Sequence, residues 1–96
     1  MIKYRKIKAA KKYIEALETK LGNKSLIVLK GEKGYVMCGY LDMVAADKFN
    51  DIAVKITGVS GIKDALKASA AGVSNAAKKA GIYIGQPIKE VLEIIA

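Results

Sequence analysis

Histidine and tryptophan are absent from this chain of 96 residues, and cysteine occurs once. Without histidine the chain cannot form a Ser-His-Asp or Cys-His catalytic set, and it lacks the usual nitrogen ligands of zinc, copper and non-haem iron. The nearest group of acids, Asp42, Asp47 and Asp51, has the spacing of a solvated helix face. We therefore expect no metal site and no cofactor.

The single cysteine also indicates the cellular compartment of the protein. One thiol cannot form an intramolecular disulfide, which fits a reducing cytoplasm. Long apolar runs are missing as well: the longest uncharged run, residues 68–77, is shorter than the roughly 18 residues of a membrane span. The basic N-terminus precedes no apolar segment of the secretory type, so we expect a soluble cytoplasmic protein without a membrane partner.

Apolar residues are in surplus for a chain of this length. They make up 52% of the residues, whereas a single small domain buries only about 60 to 65% of the surface that its unfolded chain exposes. Such a surplus is typical of a protein that covers part of its surface with another subunit, and we expect a homo-oligomer. The alternative is that many of these residues are alanines, which lie on surfaces without penalty.

The formal net charge of +8 is concentrated at the N-terminus. Beyond residue 12, eleven lysines nearly balance nine acids. We predict a basic tail over residues 1–11, disordered or helical, followed by one domain over residues 12–96. The tail is either simply solvated or a nonspecific nucleic-acid contact, with Tyr4 and Tyr13 available to stack on bases. The candidate contacts are the six basic residues that precede any acid: Lys3, Arg5, Lys6, Lys8, Lys11 and Lys12.

The chain is organised around residues 34–42, Gly-Tyr-Val-Met-Cys-Gly-Tyr-Leu-Asp. A short apolar run stops at Gly39, and a helix is predicted to begin near Asp42, whose side chain can accept amide hydrogens of the first turn. Alternation places Tyr35 and Met37 on one side and Val36 and Cys38 on the other. Since both sides are apolar, we predict a strand in the middle of a sheet, covered on both faces.

This nonapeptide resembles the signature of the YunC-like domain family, Gly-Tyr-(Val/Ile)-Met-Cys-Gly-x-Leu-(Asp/Asn), which has no established activity. The resemblance continues through the Gly81-Ile82-x-x-Gly85 segment, but the arginine common at the start of the family's last helix is missing here. It implies a strand from Lys12 to Leu21. The apolar spacing over residues 7–21 instead indicates a helix. We follow the resemblance and predict the strand.

The remaining pattern predicts an α+β fold with two layers. A small, mostly antiparallel sheet of about four strands should carry helices on one face. The Gly22-Asn23 turn leads to a strand at 25–30, and the four-residue link 31–34 makes a hairpin with the organising strand. A helix is predicted at 41–51, with a buried stripe of Leu41, Val44, Ala45 and Phe49. It is followed by a strand at 52–57, helices at 61–68 and 74–80, and an edge strand at 82–84. A last helix is predicted after Pro87, with a buried stripe of Ile88, Val91, Leu92 and Ile95.

Two places in this pattern could carry chemistry. Cys38 lies just before a predicted helix, where a thiolate is favoured and Gly39 leaves room for a ligand; the alternative is a buried structural thiol, and Asp42 would oppose a thiolate. The second place is the Gly58-x-x-Gly61 loop between strand and helix, either a plain turn or an anion site. The ligand-binding candidates are Tyr35, Cys38, Gly39, Asp42, Gly58, Ser60, Gly61 and Lys63.

Three functions follow from these observations. The first is an oligomeric ligand-binding or regulatory module of the cytoplasm, because the chain has a packed α+β pattern and no complete catalytic set. The second is a small enzyme that uses Cys38. The third is a nonspecific nucleic-acid binder that uses the basic tail, where the preponderance of lysine over arginine argues against sequence-specific reading.

Overall fold

The computed structural model describes residues 2–96 and has an α+β fold. Six strands form one sheet in the order β1 to β6, instead of the four strands expected, and only β4 and β5 pair in parallel. The elements are β1 (Ile2–Ala9), β2 (Lys12–Leu21), β3 (Lys24–Lys30), β4 (Tyr35–Met37), α1 (Met43–Lys48), β5 (Ala53–Lys55), α2 (Ile62–Lys67), β6 (Gly72–Val73), α3 (Asn75–Lys79) and α4 (Ile88–Ile95).

Most of the predicted basic tail over residues 1–11 forms the strand β1 instead. Met1 lies outside the described residues, and the next eight residues pair with β2 along their whole length, from Ile2 opposite Thr19 to Ala9 opposite Lys12. Ala10 closes this hairpin with a φ of +57°. The strand predicted for residues 12–21 is present as β2. Strand pairing overrides the helical spacing because it places Ile14 and Ala16 in the core.

Helices α2 and α4 cover one face of the sheet, the helix-covered face. Here Ala16 lies opposite Leu29, which in turn lies opposite Val36, and all three are fully buried. The predicted stripe of α4 is confirmed, because Ile88, Val91, Leu92 and Ile95 are all buried in the same core as these strand residues. The predicted position of β4 in the middle of the sheet is confirmed too, between β3 and β5.

On the other face, the open face, none of the helices formed by residues 2–96 covers β1 to β3. Its central row runs from Tyr4 through Leu17 and Val28 to Met37, which are opposite one another in register and are only half-buried or exposed. The expectation that all helices pack on one face is wrong. Gly72 lies opposite Lys55, and a side chain on Gly72 would contact the Met43 methyl group, so α1 lies over the β5–β6 end of the open face.

Two further expectations are corrected. Helix α1 is only six residues long, and Val44 and Phe49 are 79% and 71% exposed, because α1 presents Ala46 to the protein interior instead. Residues 82–84 form no strand. Ile82 is buried in the core, Gly81 ends α3 with a φ of +95°, and the edge strand beyond β5 is the two-residue β6. No helix among residues 2–96 is both long enough and apolar enough to cross a membrane.

A hydrogen bond ties β4 to the segment that enters β5. The Tyr35 hydroxyl donates to Asp51 Oδ2 at 2.9 Å. Partial burial, this hydrogen bond and the nearby negative charge together raise the pKa of Tyr35 from 10.0 to about 12. The fold therefore stabilises the neutral phenol.

We expect this pKa shift to make stability fall at alkaline pH. The contribution of Tyr35 is complete below its unfolded pKa of 10.0 and is lost as the pH rises through about 12. A phenolate absorbance titration of the folded protein should show one tyrosine ionising near pH 12, and Tyr35→Phe should remove that step. Tyr83→Phe, which removes an exposed phenol, is the control. A late step that persists in Tyr35→Phe would contradict the assignment.

Candidate functional site

Three segments that are distant in sequence enclose a cavity of about 420 Å³, the Cys38 cavity: residues 23–25, 38–40 and 57–60. Two of these segments follow β4 and β5, whose carboxyl ends reach the same edge of the sheet because the two strands are parallel. The third is the turn before β3, which runs antiparallel to β4. Ligand sites in sheets with parallel strands often lie beyond such carboxyl ends.

Cys38 forms the inner wall of this cavity and is 4% exposed. Its Sγ accepts a hydrogen bond from the Ile27 amide at 3.4 Å and donates to the Ser25 carbonyl at 3.4 Å. Its own amide donates to the Ile27 carbonyl at 3.2 Å. The thiol therefore replaces a main-chain acceptor at the point where β4 leaves the sheet, and it joins β4 to β3.

The helix that follows does little to activate this thiol. Helix α1 begins at Met43, and Asp42 Oδ1 accepts from the amides of Val44 at 3.0 Å and Ala45 at 3.2 Å. The predicted cap at Asp42 is thus present. Because its carboxylate already neutralises the positive end of a six-residue helix, the geometry favours the structural alternative for Cys38 over the reactive one.

The outer walls of the cavity are polar. The Ser25 hydroxyl donates to the Ser60 carbonyl at 3.3 Å and so links two walls. Lys24 supplies an amine and Thr57 a second hydroxyl, and the half-exposed ring of Tyr40 also lines the cavity. A side chain on Gly39 would meet no protein atom within 4 Å, while Gly58 has a φ of +69° that favours glycine. The cavity therefore offers one cation, several hydroxyls and one aromatic surface.

The anion site that the sequence left as an alternative to a plain turn at the start of α2 is already filled by the protein's own carboxylates. Glu18 Oε1 accepts from the Ile62 amide at 3.0 Å, and Asp64 Oδ2 accepts from both the amide and the hydroxyl of Ser60. These hydrogen bonds from Ser60 lower the pKa of Asp64. The N-cap of α2 is Gly61, which has no side chain to accept from the first turn. The amides that a phosphate would need are therefore already bonded to carboxylates, so the structure argues against an anion site here.

Four of the eight candidate ligand residues line the Cys38 cavity: Cys38, Gly39, Gly58 and Ser60. The other four are elsewhere. Tyr35 lines a separate cavity of about 490 Å³ beside Met37, and Asp42 caps α1. Gly61 and Lys63 line a third cavity, with Lys3, Arg5, Glu18 and Asp64 among its other residues.

The six nucleic-acid candidates are divided by strand alternation. Lys6 and Lys8 are on the open face with Tyr4, whereas Lys3 and Arg5 point to the opposite side. Lys12 forms an ion pair with Glu32 at 2.8 Å, and Lys11 lies in the β1–β2 turn.

Sequence reasoning missed six residues of the Cys38 cavity: Asn23, Lys24, Ser25, Tyr40, Thr57 and Val59. The Gly22-Asn23 turn is visible in the sequence, but its position beside Cys38 depends on how β3 pairs with β4. Among residues 2–96 no group of three histidine, cysteine or acidic side chains could hold a metal ion.

Comparison with known proteins identifies a family without identifying an activity. The family described as a domain of unknown function, DUF1805, matches residues 37–95, which is more than half of the chain. This chain belongs to the DUF1805 family. The match begins within the organising stretch, at Met37, and it does not confirm the YunC-like family by name.

A solved structure extends the similarity to the whole DUF1805 chain described here. The protein of unknown function TA1206 from Thermoplasma acidophilum is 36% identical and superposes with a TM-score of 0.96. The alignment covers 100% of this chain and 94% of TA1206. A search of curated proteins finds no match.

The position of Cys38 in this DUF1805 domain predicts a difference between two substitutions. Cys38→Ala should lower the free energy of unfolding by about 1 to 3 kcal/mol, because it leaves the buried Ile27 amide without its acceptor. Cys38→Ser retains a donor and an acceptor and should lose less. Urea denaturation of the two variants measures the difference.

Thiol labelling tests the same assignment by a second route. Iodoacetamide should modify Cys38 slowly in the native protein and rapidly in urea, since the thiol is 4% exposed and held by β3. An alanine variant as stable as the parent protein, or fast labelling of the native state, would contradict a structural role.

Proposed function

We propose that this DUF1805 protein is a small cytoplasmic module that self-associates and binds a small polar ligand in the Cys38 cavity. The observation that carries the proposal is the convergence of three distant segments on one cavity at the carboxyl ends of β4 and β5. Its volume of about 420 Å³ lies in the range of small-molecule sites. The one thiol is free, which supports a reducing compartment.

The wall chemistry favours a ligand with a carboxylate and hydroxyl groups. Lys24 can pair with a carboxylate, and the Thr57 hydroxyl can donate to or accept from ligand oxygens. The hydroxyls of Ser25 and Ser60 donate their hydrogens within the protein and can accept from ligand hydroxyls. The ring of Tyr40 can cover an apolar part of the ligand. A small hydroxy acid or a sugar acid combines these features.

Self-association is supported by the outer side of α1. Val44 and Phe49 have the helical spacing of core residues but are 79% and 71% exposed. Tyr40 precedes this helix and also lines the Cys38 cavity. Large exposed apolar side chains are typical of contact surfaces, and a subunit seated here would lie near the ligand site.

An enzyme that uses Cys38 has less support. The thiol bonds to β3, and Asp42 occupies the first turn of α1. Among the described residues no histidine is present to act as its base. By contrast, a ligand-binding site lined by Cys38 requires neither a reactive thiol nor a histidine base.

Native mass spectrometry and NMR together test the proposal. Native mass spectrometry should report more than one subunit, and Phe49→Asp should yield monomers whereas the control Tyr83→Asp should not. In amide spectra, gluconate and glutamate as probes should shift residues 23–25, 38–40 and 57–60, with gluconate binding more tightly because it carries more hydroxyls.

Matched lysine variants locate the site. Lys24→Gln should weaken gluconate binding about tenfold or more, because it removes the cation of the cavity, while Lys63→Gln should leave binding unchanged. A monomer would contradict self-association. Shifts outside the three segments, or equal effects of the two variants, would contradict the ligand site.

A further inference from the structure

The open face of β1 to β4 is a surface that neither the core nor the Cys38 cavity explains. It carries a row of apolar side chains, Tyr4, Leu17, Val28 and Met37, joined in register across the four strands. The lysines that alternate onto this face away from the Cys38 cavity are Lys6, Lys8 and Lys30. Two acids lie beside these lysines: Glu15 on β2, and Glu32 in the link after β3, which lines one cavity with Lys6, Tyr13 and Lys30.

Both acids are already engaged. Glu32 pairs with Lys12 at 2.8 Å. The Tyr4 hydroxyl donates to Glu15 Oε1 at 3.1 Å, and Lys30 Nζ lies 3.8 Å from Glu15 Oε2. Lys6 and Lys8 take part in none of the ion pairs found among residues 2–96. The open face therefore has an excess of positive charge that the fold itself does not neutralise.

Two tyrosines flank these lysines. Tyr4 and Tyr13 are 53% and 62% exposed. Tyr4 lies opposite Leu17 and Tyr13 opposite Lys8, so the two tyrosines are four residues apart along the sheet, or about 14 Å. Lys6 lies on β1 between Tyr4 and Lys8, and Lys8 is opposite Tyr13 in register. Exposed aromatic rings alternating with amines on a rigid surface suit a chain of stacked bases joined by phosphates.

The charge of the face decides between possible occupants. A second copy packed on the same face would bring three lysines against three lysines in a partly desolvated contact, which is electrostatically unfavourable. An acidic protein segment would satisfy the lysines but not the exposed rings. In duplex nucleic acid the bases are paired and stacked, so the tyrosines could not reach their faces.

We infer that the open face binds single-stranded nucleic acid, with bases stacking on Tyr4 and Tyr13 and phosphates contacting Lys6, Lys8 and Lys30. The interaction tolerates different sequences, because lysine and tyrosine contacts do not read base edges and Arg5, the one arginine, points to the opposite side. This differs from a flexible basic tail: strand pairing fixes the contacts, and Lys3, Arg5 and Lys12 are not among them. It does not depend on a ligand in the Cys38 cavity.

Fluorescence anisotropy with a labelled 15-nucleotide oligouridylate tests the inference on the full chain at low salt. Tyr13→Ser should weaken binding about fivefold or more, as expected for the loss of one stacked base, while Tyr13→Phe should retain it. Tyr83→Ser is the matched control, since Tyr83 is 55% exposed in the loop after α3. Lys6→Gln with Lys8→Gln should reduce the slope of log affinity against log salt by about 1.4.

Amide NMR spectra of the unmodified protein test the same inference without relying on the stability of any variant. Addition of the oligouridylate to the unmodified protein should shift amides of β1, β2 and β3 and leave α3 and α4 unshifted. No binding, shifts confined to the helix-covered side, or Tyr13→Ser and Tyr83→Ser variants of equal affinity would overturn the inference. It would also be overturned if polyglutamate or an RNA duplex of matched charge bound as tightly as the single strand.

Discussion

The parallel pairing of β4 with β5 is the constraint on which the rest of this structure depends. Val36 lies opposite Val54, and both are fully buried. Parallel neighbours cannot be joined by a tight turn, so the chain must leave the sheet after Met37 and return through α1. That crossover places a helix over one end of the open face, and it brings the carboxyl ends of both strands to one edge. The Cys38 cavity is a direct consequence.

The backbone of the link before β4 lies close to the end of α4 and to the segment before β5, and these contacts hold the β4–β5 pair in place. The link before β4 contacts the end of α4, because the Lys33 amide donates to the Ile95 carbonyl at 2.8 Å and a side chain on Gly31 would overlap that carbonyl. Gly34 is limited in the same way by the carbonyl of Ile52. The two glycines of the hairpin therefore do more than turn the chain. They let it approach the last helix and the segment that enters β5.

Features set by local pattern were predictable, and features set by distant pairing were not. The stripe of α4 and the Asp42 cap depend on neighbours within a few residues. The residues of β1 have the composition of a basic tail, and only pairing with β2 makes them a strand. Likewise Cys38 and Gly58 could be recognised as candidates, but Lys24 joins them through strand register. The loop before α2 has the pattern of an anion site, and Glu18, which fills it, is far away in sequence.

Native-state hydrogen exchange of the amides of Tyr35 and Ile56 tests the central place of this pairing most directly. These amides donate to the Ile52 and Met37 carbonyls at 3.0 and 2.9 Å, the hydrogen bonds that join β4 to β5. If the rest of the fold depends on this pair, both amides should exchange only by global unfolding, whereas amides of the edge strand β1 should exchange by smaller openings. Exchange at Tyr35 and Ile56 as fast as in β1, with other core amides still protected, would contradict the account.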